Sequence, residues 1–170
     1  MSAGTTFILS GLLVMIVCWT VSAASRRPAA SWNYYHFNGS GFVAGRSPDG
    51  VRFLAVRDRM IPVVTGHHDT IEPTPLPVGK GAVAGICYIR NSGGLSATVG
   101  AYTPSPGVTV TISPRDGVPL VTQADEAGFF VAVLDAGSYT VSHGAFSSRV
   151  ALEKGTTVLV PLQTGKRMVN

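Results

Sequence analysis

Charged residues and cysteines are scarce in this sequence, and both shortages exclude classes of protein. Lysine, arginine, aspartate and glutamate make up 13% of the 170 residues, and the net charge of +4 is spread thinly along the chain. A nucleic-acid-binding surface would need a clustered basic stripe, so we expect no nucleic acid partner. Cys18 and Cys87 are the only cysteines, and neither belongs to the C-x-x-C-H motif that binds haem covalently.

Catalytic motifs are missing as well. The serines are scattered in loops rich in glycine and threonine, and no G-x-S-x-G nucleophile elbow occurs. Asp125 and Glu126 are neighbouring carboxylates, but they lie in a predicted turn with too few oxygen ligands for calcium. We therefore predict that the protein is not an enzyme and that it has no cofactor.

Glycine and proline, in contrast, are abundant, with 20 and 11 copies. They favour many turns between short strands over helices. Residues 106–141 show this best, because apolar residues alternate between turn sequences at 114–117, 125–128 and 135–137. The alternation places Val108, Val110 and Ile112 on one apolar face of the first strand. Leu120 opens the next run, and in the run after it Phe129, Val131 and Val133 share an apolar face directed at the interior.

The same block carries a family resemblance. The order PGVTVTI, DG, DEAG, FFVAVL and AGSYTV resembles the carboxypeptidase regulatory-like domain over residues 81–162. That resemblance implies a seven-stranded Greek-key (transthyretin-like) β-sandwich, related to the repeats of Gram-positive adhesins, and an extracytoplasmic setting. Some of those adhesins form an internal covalent bond between a lysine and an asparagine, and the resemblance requires us to consider such a bond here. We expect none here, because Tyr139 is followed by Thr-Val-Ser-His without the required glutamate and Lys80 has no evident acidic partner.

The N-terminal segment is predicted to be a hydrophobic helix used for targeting. Residues 7–24 contain no charge and are long enough for a signal peptide or a short transmembrane anchor, which we place at 1–25. Small residues at 21–25 suit cleavage after Ala23 or Ala24. However, Arg26 and Arg27 follow the apolar run and no basic residue precedes it, so cleavage and retention both stay open. We expect an exported protein, periplasmic or extracellular, that meets a membrane only through this segment.

Residues 26–65 are predicted to form a small β or extended unit rich in aromatic residues. Its aromatic patch comprises Trp32, Tyr34, Tyr35 and Phe37. Asn38-Gly39 follows the patch and suits a hairpin turn, and Pro62 interrupts a later apolar run, which is therefore an edge strand or an extended arm. The four rings are either local core or a surface that docks on another protein.

Residues 66–80 are predicted to be a proline-rich linker, because Pro73, Pro75 and Pro77 favour an extended conformation. His67, His68 and Asp69 in it are weak candidates for a metal site. Adjacent side chains of an extended chain point apart, so we interpret the three as a solvated loop and predict no metal.

The sandwich is placed at residues 81–163 and a polar tail at 164–170. Its first strand contains Cys87, interpreted as a small buried apolar residue. Val158 and Val160 share one face of the last strand, with Leu159 opposite. The loop after the first strand contains Tyr102, a candidate contact for a partner or a glycan.

Three classes of function remain open. The one we favour is a non-catalytic structural or protein-interaction subunit of the cell envelope or extracellular space, which joins another envelope protein or a larger assembly. The second is a carbohydrate- or surface-binding module that acts through the loop with Tyr102. The third is a metal- or cofactor-handling accessory protein that uses His67 and His68.

Overall fold

The computed structural model describes residues 31–48, 50–92 and 101–168, and in these ranges the chain is all-β. It forms twelve strands and no helix there, which confirms the all-β part of the prediction. Nothing in these ranges is therefore a helical membrane span. The helix predicted within 1–25 and the loop residues 93–100 lie outside the described residues.

The first four strands form an antiparallel sheet, which we call the N-terminal sheet. Its strands are β1 (Asn33–Phe37), β2 (Phe42–Ala44), β3 (Phe53–Val56) and β4 (Val63–Thr65), in the order β2-β1-β3-β4. The predicted hairpin turn joins β1 to β2, and the Asn38 carboxamide oxygen accepts hydrogen bonds from the backbone N–H groups of Ser40 and Gly41. Strand β4 begins directly after Pro62 at the edge of the sheet, as predicted.

The other strands form two further sheets. The central sheet contains β5 (Lys80–Ser92), β6 (Tyr102–Pro104), β9 (Phe129–Asp135) and β12 (Thr157–Met168). The outer sheet contains β7 (Thr109–Pro114), β8 (Leu120–Gln123), β10 (Gly137–His143) and β11 (Phe146–Leu152), in the order β11-β10-β7-β8. These are eight strands from Lys80 onward, where seven were expected. Strands β5 and β12 pair in parallel, while the other neighbours pair antiparallel. Strand β12 continues to Met168 and pairs with β5 as far as Ser92, so the sandwich extends into the residues predicted as a polar tail.

The central sheet is covered on both faces, so the molecule has two apolar cores. Val83 and Cys87 of β5 point to the core shared with the outer sheet. Ala84, Ile86 and Tyr88 point to the core shared with the N-terminal sheet. Every residue from 81 to 88 is buried, which explains why this strand reads as a continuous apolar run and not as a clean alternation.

This double burial corrects one prediction about β9. Phe129 and Val131 do not face the sandwich interior but the N-terminal sheet. The opposite side of the strand, with Phe130, Ala132 and Leu134, fills the core against the outer sheet. Alternation cannot tell the two faces apart when both are apolar.

The other predicted faces are confirmed. Val110 and Ile112 of β7 are fully buried in the core between the central and outer sheets, and Val108 packs against this core. Val158 and Val160 contact the same core, whereas Leu159 contacts the core under the N-terminal sheet.

The proline-rich segment predicted as a linker lies along the chain that precedes β4. Met60 and Pro75 form a β-bridge, and the Leu76 N–H donates to the Arg59 carbonyl at 2.9 Å. The Arg59 N–H in turn donates to the carbonyl of Gly155, in the turn before β12, at 2.8 Å. Backbone hydrogen bonds therefore hold this segment against its neighbours.

The turn at 125–128 depends on one carboxylate. The Asp125 Oδ1 accepts hydrogen bonds from the N–H groups of Ala127 at 2.9 Å and Phe129 at 2.8 Å. Asp125→Ala leaves both groups without this partner, so we expect the free energy of unfolding to fall by about 1–2 kcal/mol. Urea denaturation measures the change. Glu126→Ala, at the exposed neighbour, is the control and should change stability by less than about 0.5 kcal/mol; equal effects would contradict the assigned role.

Candidate interaction site

The predicted aromatic patch packs largely against the chain itself. Phe37 is 4% exposed and lies at the centre of a cluster between the N-terminal and central sheets, which we call the interlayer aromatic cluster. Its ring centroid is 4.6 Å from Tyr88, 4.8 Å from Tyr102 and 5.7 Å from Phe42. The chain's own central sheet thus covers this ring.

Tyr102 belongs to the same cluster. Its hydroxyl donates a hydrogen bond to the Phe37 carbonyl at 3.3 Å, and burial raises the pKa of this hydroxyl. The ring meets Phe37 and Tyr88 in edge-on contacts. Tyr102 therefore connects β6 to β1, which is a structural role.

The other aromatic residues of the patch are half-exposed. Tyr34 makes an edge-on contact with Phe53, with ring centroids 5.6 Å apart, and the Arg46 guanidinium lies 4.6 Å from the Tyr34 ring centroid. Trp32 and Tyr35 are also partly open to solvent. The patch is thus divided. Phe37 and Tyr102 belong to the interlayer aromatic cluster, whereas Tyr34 packs with Phe53 on the opposite face of the N-terminal sheet.

The candidate metal residues have other partners. The His67 Nε2 lies 2.7 Å from the Ser47 carbonyl, and its ring contacts Phe53 edge-on. Asp69 accepts a hydrogen bond from the Gly66 N–H at 2.7 Å and lies 3.8 Å from Arg52, while His68 is exposed. Within residues 31–48, 50–92 and 101–168, no three His, Cys, Asp or Glu side chains come together as a metal site.

Cys87 is fully buried, as predicted, and desolvation raises the pKa of its thiol from 9.0 to about 12. The thiolate is therefore about a thousandfold rarer at neutral pH than in an exposed cysteine. We expect maleimide to leave Cys87 unlabelled in the native protein and to label it on unfolding, measured by mass spectrometry of the peptide that contains it. Rapid labelling under native conditions would show that the site opens.

The same pKa shift predicts how stability depends on pH. The unfolded thiol ionises near pH 9.0 and the folded one near pH 12. The contribution of this group is therefore intact below pH 9 and is lost as the pH rises towards 12, by about 1.4 kcal/mol per pH unit. Chemical denaturation at several pH values measures this slope. Cys87→Ala should reduce the slope between pH 9 and pH 12 by the contribution of this thiol. A slope that is unchanged in this variant would contradict the raised pKa of Cys87.

The described surface also has an apolar edge that the sequence did not single out. Val118, Leu120 and Val121 are 89%, 41% and 60% exposed. Strand β8 is the last strand of the outer sheet, so only β7 pairs with it among the residues that the structure describes. Its sequence, LVTQ, contains no charge, although natural edge strands are often protected by charged side chains.

This edge borders an opening of the sandwich. A depression of about 420 Å³ lies between β8 and β9, lined by Ile112, Leu120 and Val133 among others. The Lys80–Asp135 ion pair, with its charged atoms 2.8 Å apart, lies at the rim. Lys80 therefore has an acidic partner, which the sequence did not predict. On the opposite side of the sandwich, β11 and β12 lie close together. The side at β8 is thus the open one.

Comparisons with known proteins give one structural similarity. No family model matches the sequence, and no curated protein matches it. The fold is similar to GBS52, the minor pilin in the Gram-positive pathogen Streptococcus agalactiae, with 16% sequence identity and a TM-score of 0.42. The similarity covers 76% of this chain but 66% of the pilin, so this chain spans a little less than two thirds of that protein's length.

Proposed function

We propose that this protein is a non-catalytic structural or protein-interaction subunit of the cell envelope or extracellular space. Its sandwich would belong to the transthyretin-like, carboxypeptidase regulatory-like class, and its N-terminal segment would export it. The observation that carries the interaction role is the open edge at β8, where Val118, Leu120 and Val121 are exposed beside unpaired backbone groups.

The chemical groups at the β8 edge favour another protein chain as the binding partner. An unpaired strand edge offers backbone N–H and C=O groups in the spacing that another extended chain can meet. Apolar side chains beside it add hydrophobic burial, worth roughly 25 cal/mol for each Å² removed from water. The half-exposed rings of the aromatic patch, Trp32, Tyr34 and Tyr35, are a secondary contact surface in this proposal. They lie in β1 of the N-terminal sheet or directly before it.

Site-specific photocrosslinking of the full chain in the cells that make it tests this function. A photoreactive residue at Val121 should give a covalent protein adduct of defined mass. Val78, which is fully exposed in the segment before β5, is the matched control position and should give none. Leu120→Lys should abolish the adduct, because it places a charge at the same edge. Equal yields at Val121 and Val78 would overturn the role of the edge.

One observation favours the carbohydrate alternative, restricted to acidic glycans. A second depression, of about 670 Å³, lies on β10 and β11, and its lining includes Arg115, Arg149, Ser138 and Thr140. Guanidinium groups bind carboxylates and sulfates. Binding to uronic-acid or sulfated oligosaccharides that is lost in Arg149→Ala, but kept in Leu120→Lys, would support this alternative over the edge.

A further inference from the structure

We infer that the occupant of the β8 edge is a second copy of this chain, paired antiparallel to the first about a twofold axis. This inference rests on the proposed interaction role of the edge and adds the identity of the partner. Pairing two β8 strands in this way would join the two outer sheets into one continuous sheet of eight strands. It would also cover Val121, the apolar residue of β8 most exposed to solvent.

The backbone shows which groups of β8 face outward. Directly after β8, the Ala124 N–H donates to the Val108 carbonyl at 2.9 Å, and the Ala124 carbonyl accepts from the Gly107 N–H at 3.1 Å. Ala124 is thus directed at the β7 side. Backbone direction alternates along a strand, so Gln123 and Val121 present their N–H and C=O groups to the free edge. Pro119, which has no N–H, limits the ladder at the other end.

These directions fix the register of a symmetric pair. Val121 of each copy pairs with Gln123 of the other, which gives four backbone hydrogen bonds, and Thr122 lies on the twofold axis opposite itself. Leu120 then lies opposite Ala124 of the second copy, so that two apolar side chains meet. Since β8 has no charged residue, the strand can pair with itself without bringing like charges together.

The flanking turns favour the antiparallel orientation. Arg115 and Asp116, in the turn before β8, make that turn neutral overall, whereas Asp125 and Glu126 make the turn after it acidic. Antiparallel pairing places the neutral turn of each copy beside the acidic turn of the other. Parallel pairing would bring the two acidic turns together, which is unfavourable.

Disulfide trapping of the full chain tests the register. A non-hydrogen-bonded antiparallel pair has Cα atoms about 4.5 Å apart, within disulfide range, so Thr122→Cys should form a covalent dimer on mild oxidation. The substitution is made in a chain that also carries Cys18→Ala. The remaining native cysteine, Cys87, is buried and should not form the intermolecular disulfide. Val43→Cys, on the exposed edge strand β2, is the matched control and should stay monomeric.

Analytical ultracentrifugation of the full chain without cysteine substitutions tests whether two copies associate. We expect a reversible dimer that Val121→Lys weakens at least tenfold with an unchanged unfolding midpoint, because a lysine on the edge opposes strand addition. A chain that stays monomeric, or a dimer in which Thr122→Cys does not crosslink, overturns this inference. The proposed function fails separately, when photocrosslinking at Val121 yields no adduct. An adduct with a different protein keeps the function and excludes the second copy.

Discussion

Gly85→Ala is expected to lower the free energy of unfolding by at least about 3 kcal/mol and to reduce the yield of soluble protein. A Cβ atom at this position would lie 2.1 Å from the Val160 carbonyl oxygen and 2.6 Å from the Phe130 ring. One obstacle is backbone of the parallel neighbour β12 and the other is a buried core ring, so neither can move without opening a sheet or a core. Glycine is therefore required at the centre of β5.

Gly41→Ala is the matched control, because a Cβ atom there would meet nothing within 4 Å. We expect it to change stability by less than about 0.5 kcal/mol. Urea denaturation followed by tryptophan fluorescence compares the two variants, and the yield of soluble protein is the second readout. A Gly85→Ala variant as stable as Gly41→Ala would show that the β5–β12 pairing is not as close as described.

Phe37→Ala is expected to destabilise the protein by about 3–5 kcal/mol, the usual result of removing a buried phenylalanine ring. The ring contacts Phe42, Tyr88 and Tyr102, and these residues come from β2, β5 and β6. Loss of the ring therefore weakens the packing between the N-terminal and central sheets more than it weakens the packing between the central and outer sheets. We expect limited proteolysis to remove the N-terminal sheet from this variant before it cuts the sandwich.

Phe146→Ala is the control, because it makes the same chemical change at a residue that is 36% exposed. It should lower the free energy of unfolding by less than about 1 kcal/mol. The two variants are compared by denaturation and by the order in which protease fragments appear. If Phe37→Ala is no less stable than Phe146→Ala, the interlayer aromatic cluster does not hold the two sheets together.

The sequence predicted strands and turns well because their signals are local. Glycine, proline and Asp125 mark the turns by their own backbone and side-chain chemistry, and the apolar faces of β7 and β12 follow from alternation. The third layer was not predicted, since alternation describes one strand and not what covers it. Phe129 was therefore assigned to the wrong core, and Phe37 was weighed as a docking residue although the central sheet of its own chain covers it.

The candidate site was the less predictable part. Val121 has the same residue type as many core positions, and its exposure depends on β8 being the last strand of its sheet, which is a property of the topology. The available signal was weak: a short apolar run without charge, following Pro119. Tyr102 was chosen because its loop is long, but its ring lies in the interlayer aromatic cluster.

The parallel pairing of β5 with β12 has a consequence for folding speed. Ala82 and Thr157 are register partners although about 75 residues separate them along the chain. Closing so long a loop is slow, because the entropy lost on closure precedes the contacts that compensate for it. During synthesis, β5 would leave the ribosome well before β12 exists, and its edge on that side would stay unpaired until then. Completion of the fold therefore waits for the last strand.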